Sequence, residues 1–148
     1  MDIEEKRRKA EAGSCVAQTT LGISYLYGID VEVDYQEAFR LLSAAASQGT
    51  SRAVLTLGIM YAKGLGIPQN ALEAVRLLEA VAKPSDSSDA FTARIELGRL
   101  YSLGQGIPAD PQKALKWYKA ALNLSADSKD SEDLREARNY VQQTNDGR

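Results

Sequence analysis

Apolar residues recur at intervals of three and four along most of the chain, in paired runs separated by glycine-containing gaps. Ala17, Leu21 and Tyr25 are spaced by four, which at about 100° per residue puts them on one face of a helix. The next run, Ala38, Leu41, Leu42 and Ala45, has the spacing of an amphipathic helix, and Ala74, Leu77, Leu78 and Val81, then Ala114, Trp117, Tyr118 and Ala121, repeat it. Gly28, Gly64 and Gly104 close the first helix of each pair, since glycine enters the left-handed region without steric cost. Each second helix opens on Asp34, Asn70 or Asp110, whose side chain can accept from the free N–H groups of the first turn. Glu37 and Glu73 stand three residues later, in capping-box position, and Pro111 takes the first helical position of the third copy.

The pairs are copies of one unit. Leu21-Gly22-Ile23-Ser24-Tyr25, Leu57-Gly58-Ile59-Met60-Tyr61 and Leu97-Gly98-Arg99-Leu100-Tyr101 share L-G-x-x-Y, with Gly three residues and Ala thirteen residues after each Tyr. From Leu21 to Leu57 is 36 residues and from Leu57 to Leu97 is 40, the surplus falling in the loop-like 83–89 segment. The glycine beside each repeated Leu removes a side chain where another helix must come close, so Gly58→Val should damage folding. Residues 1–13 take the place of a preceding second helix and form an N-terminal capping half-repeat, with Glu4–Arg8 and Glu5–Lys9 as i,i+4 pairs. Repeats occupy 14–49, 50–89 with its insertion, and 90–124. In 125–148, Leu134, Ala137 and Val141 mark a capping helix over the last apolar face, and 144–148 reads as a disordered tail.

The unit resembles the tetratricopeptide pattern, and more closely the Sel-one-like repeat family. The period is 36 or more, and the inter-helix loop is long and carries Gly-x-Gly-[IV], as in Gly64-Leu65-Gly66-Ile67 and Gly104-Gln105-Gly106-Ile107. In the first copy Asp30 stands where the second Gly belongs, which leaves the form of that turn open. The resemblance implies an all-α fold, a right-handed superhelix (solenoid) of antiparallel helix pairs. It also implies an adaptor that holds another protein or peptide along the concave side lined by the first helices, with no family-wide active site.

Composition narrows the chemistry further. The 148 residues contain no His and one Cys, so a Ser-His-Asp triad, a Cys-His dyad, a His-ligated metal and a disulfide framework are all excluded within the chain. Eighteen Lys and Arg against 20 Asp and Glu, net charge −2, give no general attraction to nucleic acid or anionic lipid. The N-terminus is charged from its second residue and lacks the apolar stretch of a secretory signal, and no apolar run spans a bilayer. The expectation is a cytoplasmic, non-enzymatic protein without cofactor or metal, its oligomeric state open. Asp30, Glu32 and Asp34 alternate as calcium ligands do, but Tyr35 and Leu41 stand where an EF-hand needs Gly and Glu. The paired loop glycines lack a following Gly-Lys-Ser/Thr and read as turns, Lys113, Lys116 and Lys119 read as a solvated face, and Cys15 as a small packed thiol.

The positive signal is a second stripe on the first helices. With Ala17 at 0°, Val16, Thr19, Ile23, Leu26 and Tyr27 fall between about 180° and 280°, nearly opposite the first face. A contiguous apolar stripe of this kind calls for a partner. The expected contact residues are Thr19, Ile23, Leu26 and Tyr27, then Arg52, Leu55, Ile59 and Lys63, then Ile95, Arg99 and Leu103. An alternative use of the same surface is that of an immunity or inhibitor protein neutralising a toxin or enzyme by stoichiometric binding. An enzyme built on carboxylates or lysine ranks lower, since no titratable cluster converges on that face.

Overall fold

A computed structural model describes residues 1–83, 86–123 and 131–147. Its described residues form eight α-helices: α1 (Ile3–Glu11), α2 (Cys15–Tyr27), α3 (Tyr35–Ser47), α4 (Ser51–Lys63), α5 (Ala71–Ala82), α6 (Ser88–Leu103), α7 (Pro111–Asn123) and α8 (Glu132–Asp146). The chain is all-α, as the periodicity predicts. It divides into two compact units, residues 1–77 and 78–148.

In the first unit α2 pairs with α3, α1 packs on α2, and α4 packs on α3 and touches α2. Leu26, Ala38, Leu42, Ala45, Ala53, Leu57, Met60 and Leu77 form the main core, with Cys15 packed at its edge. Ala10, Ala17, Leu21 and Leu41 form a smaller one beneath α1. A Cβ on Gly22 would lie 2.7 Å from Leu42 Cγ, which shows why the residue beside the repeated Leu carries no side chain. On α1 the ion pairs are Glu4–Arg7 and Glu5–Lys9, and Arg7 also donates to Tyr25 Oη from Nη2 at 3.1 Å, tying the cap to α2.

Each inter-helix loop is fastened the same way. The amides of Asp34, Asn70 and Asp110 donate to the carbonyls of Tyr25, Tyr61 and Tyr101, all at 2.9 Å. The side chains of the same three residues accept from Glu37, Glu73 and Lys113 amides at 3.0, 3.1 and 3.0 Å, the N-caps expected from the sequence. Because the cap amide is already bonded to the Tyr carbonyl, Glu37 and Glu73 are not needed to complete a capping box. Their carboxylates turn to Arg40 and Arg76 instead. The form of the first loop is also settled: Asp30 has φ 61°, beside 69° and 76° at the equivalent Gly66 and Gly106. Aspartate tolerates the left-handed region better than most residues, and the turn is kept without glycine. Asp30→Val should therefore lower stability by about 1 to 2 kcal/mol and Asp30→Gly should change it little, a contrast that paired thermal melts will read.

In the second unit α6 pairs with α7, and α8 packs on α7 and touches α6 as α4 does with α3 and α2. A Cβ on Gly98 would lie 2.8 Å from the Tyr118 ring. Gly58, at the same place in α4, is buried. Arg94 donates to the Ala82 carbonyl at 2.9 Å and the Ala120 carbonyl at 3.0 Å, satisfying acceptors near the ends of α5 and α7. Two expectations need correction. Ser88 and Asp89, read as insertion loop, belong to α6, whose N-cap Ser87 accepts from the Ala90 amide at 3.1 Å; residues 84–85 lie outside the described residues. The tail read as disordered from 144 is helical to Asp146, with Thr144 Oγ1 donating to the Tyr140 carbonyl; 124–130 and 148 lie outside the described residues.

Candidate functional site

The second stripe divides along its length in angle. Thr19, Leu26, Leu55 and Ile95, at about 180° to 200° from the first face, are buried. They are core and not contact surface, because the first helices pack on two sides. Leu26 belongs to the main core of the first unit, and Thr19 Oγ1 donates to the Cys15 carbonyl. On α2 the residues at about 240° to 300° stay accessible. These are Val16, Thr20, Ile23 and Tyr27, with Val16 67% and Tyr27 58% exposed. Thr20 is the member the sequence reading passed over, although its interval of four from Val16 could have supplied it.

On α4, 36 residues on, the same column is Arg52, Thr56, Ile59 and Lys63. Arg52 and Lys63 are exposed, Ile59 is half-buried, and Thr56 is buried with its hydroxyl donating to the Arg52 carbonyl. Helices α2 and α4 touch within the first unit.

The third column behaves differently. On α6 it is Thr92, Glu96, Arg99 and Leu103, of which Leu103 is 65% exposed and Glu96 buried. Arg99, expected as a partner anchor, is held by the fold. Its Nη1 donates to Glu96 at 2.7 Å, its Nη2 to Asp133 at 2.7 Å and to Glu136 at 2.6 Å, and Tyr118 Oη donates to Glu136 at 2.7 Å. The Tyr118 and Tyr140 rings lie 4.9 Å apart beside this cluster. Hydrogen bonding to Glu136, then the nearby carboxylates, raises the Arg99 pKa, so it stays charged. Burial, followed by the bond to Glu136, pushes the Tyr118 phenol up. Burial would raise Glu136, but the hydrogen bonds from Arg99 and Tyr118 and the Arg99 charge outweigh it and hold the carboxyl below its ordinary value. Arg99 is thus a clasp for α8, with its donors committed.

Among the described residues no group of His, Cys, Asp and Glu could hold a metal, and no helix is long and apolar enough to cross a membrane. Asp30, Glu32 and Asp34 line an open cleft with Ile3, Arg7 and Tyr25. Lys113 lies over the Tyr101 ring and Lys116 over the Trp117 ring, each 5.2 Å from the centroid, so two of the three lysines are engaged with their own repeat.

Comparison with known proteins agrees with this architecture. The Sel1 repeat family matches residues 15–50, 51–83 and 92–125. Two crystal structures are similar. One is c5321, a protective antigen of uropathogenic Escherichia coli with an SLR fold, 31% identical over 83% of this chain at a TM-score of 0.70. The other is a Sel1 repeat protein from Oxalobacter formigenes, 31% identical over 76% of this chain at a TM-score of 0.62. The matched segments make up 26% and 45% of those two proteins, so this chain corresponds to a part of each. No curated protein matches the chain. Three matched repeats, the recurrent loop fastening and the helix pairing together show that the chain belongs to the Sel1 repeat family.

Proposed function

We propose that this chain is a non-catalytic adaptor whose contact surface is the α2–α4 face. Sel1 repeat proteins generally mediate protein–protein interactions and are typically non-catalytic scaffolds. The observation that carries the finer reading is the exposed column on α2, where Val16, Ile23 and Tyr27 leave apolar surface in water beside Ile59. Uncovered apolar surface of this kind favours a partner, and Tyr is a favoured anchor because it adds large area at low entropic cost. Of the expected contact residues this retains Ile23, Tyr27, Arg52, Ile59 and Lys63 as one surface, with Leu103 exposed on α6.

Bait carrying Tyr27→Ala and Ile59→Glu, its fold checked by circular dichroism, should lose a stoichiometric protein that wild-type bait retains from native lysate. Retention by both baits would move the binding surface off α2 and α4. Assaying the retained protein free and bound then separates an adaptor, which leaves its partner active, from an inhibitor, which does not.

A further inference from the structure

The charge on the α2–α4 face is one-sided. Helix α2 carries no charged residue, and α4 carries two, Arg52 and Lys63, both cationic, in a chain of net charge −2. Seven of the nine acids of the first unit lie elsewhere. Glu4 and Glu5 pair along α1, Glu37 and Glu73 pair with Arg40 and Arg76, and the acids of the 28–34 loop line the cleft beside Ile3, Arg7 and Tyr25. Lys63 is exposed and has no ion-pair partner among the described residues. In the 36-residue register Lys63 is the counterpart of Tyr27, and Ile59 of Ile23, on two helices that touch.

We propose that this face takes an acidic, partly apolar peptide segment of a partner protein. Its apolar side chains lie on Val16, Ile23 and Tyr27, and a carboxylate lies at Lys63. This rests on the adaptor reading and names the chemistry of its partner. The two parts divide the work: apolar contact holds the segment, while the exposed charge contributes little affinity of its own and selects among partners and speeds encounter. An acidic segment meets no carboxylate on either helix, whereas a basic one would face Lys63 directly.

The test is to pan a library of random peptides, about a dozen residues each so that they can span the face, against the full chain, and then against folded Tyr27→Ala and Lys63→Glu variants. Binders enriched in Asp or Glu beside Leu, Phe or Trp are expected. A synthetic binder should weaken about tenfold with Tyr27→Ala and about fivefold with Lys63→Glu. Panning on Lys63→Glu should yield binders without the acidic bias. Binders that depend on Tyr27 but show no acidic bias and ignore Lys63→Glu would overturn the partner chemistry while leaving the surface standing. Binders indifferent to both substitutions, or a library without binders, would overturn the surface as well.

Discussion

Replacing Gly66 with alanine is expected to lower folding stability by about 2 to 5 kcal/mol and the thermal midpoint by roughly 5 to 20 °C. Two costs coincide there. Gly66 has φ 69°, and a Cβ built on it would lie 2.2 Å from Tyr35 Cβ and 3.4 Å from Tyr35 Cα. The atom in the way is at the root of a side chain in the first turn of α3, where Gln36 Nε2 also donates to the Gly66 carbonyl at 2.8 Å, so relief requires α3 and the α4–α5 loop to move apart. Gly49 supplies the control: its φ is 82° but a Cβ there meets nothing within 4 Å. Gly49→Ala should show the left-handed backbone cost alone, about 1 to 2 kcal/mol. Circular dichroism melts in which Gly66→Ala and Gly49→Ala fall equally would show that the loop is not wedged against α3.

Arg99→Met should cost about 2 to 3 kcal/mol and loosen α8, because it leaves Glu96, Asp133 and Glu136 facing one another without their common cation. The estimate is below that for a fully buried pair because Arg99 and Glu136 side chains remain 32% and 35% exposed. The same cluster sets an acid limit. Glu136 has its pKa lowered in the folded chain from an ordinary 4.5, so its contribution is complete above about 4.5 and disappears as pH falls through the lowered native value. Urea unfolding followed from pH 7 to pH 3 should show wild type losing more stability below about 4.5 than Glu136→Gln, which is less stable at neutral pH but lacks this titration. Parallel curves for the two proteins would mean that Glu136 is not the group responsible.

The repeats were legible because their determinants are local. Each cap, loop glycine and apolar face depends on residues within one unit, and the three copies supply each other's register. Asp30 showed the limit of that logic, since a side chain that departs from the pattern can still hold the backbone that the pattern requires. The stripe was half legible. Angle alone places Leu26 and Tyr27 on the same side of α2, and only the packing of α3 and α4 separates a 3% exposed core residue from a 58% exposed surface one. The α8 clasp was not legible. Asp133 and Glu136 are 34 and 37 residues from Arg99, and an i,i+3 acidic pair on a polar helix reads as a solvated face.

The fastening of each loop joins main chain to main chain, amide of the cap residue to carbonyl of the tyrosine. The bond itself reads no side chain, so what a loop encloses is limited only by the left-handed turn and by local packing such as that of Gly66 on Tyr35. The enclosed sequences already differ widely, from Ile29-Asp30-Val31-Glu32-Val33 to Leu65-Gly66-Ile67-Pro68-Gln69. Mutation can explore the solvent-facing positions of these loops, and the exposed Ile29 and Val33 show one copy already presenting apolar groups there. Such a loop can diversify in what it displays to solvent without altering the bond that closes it.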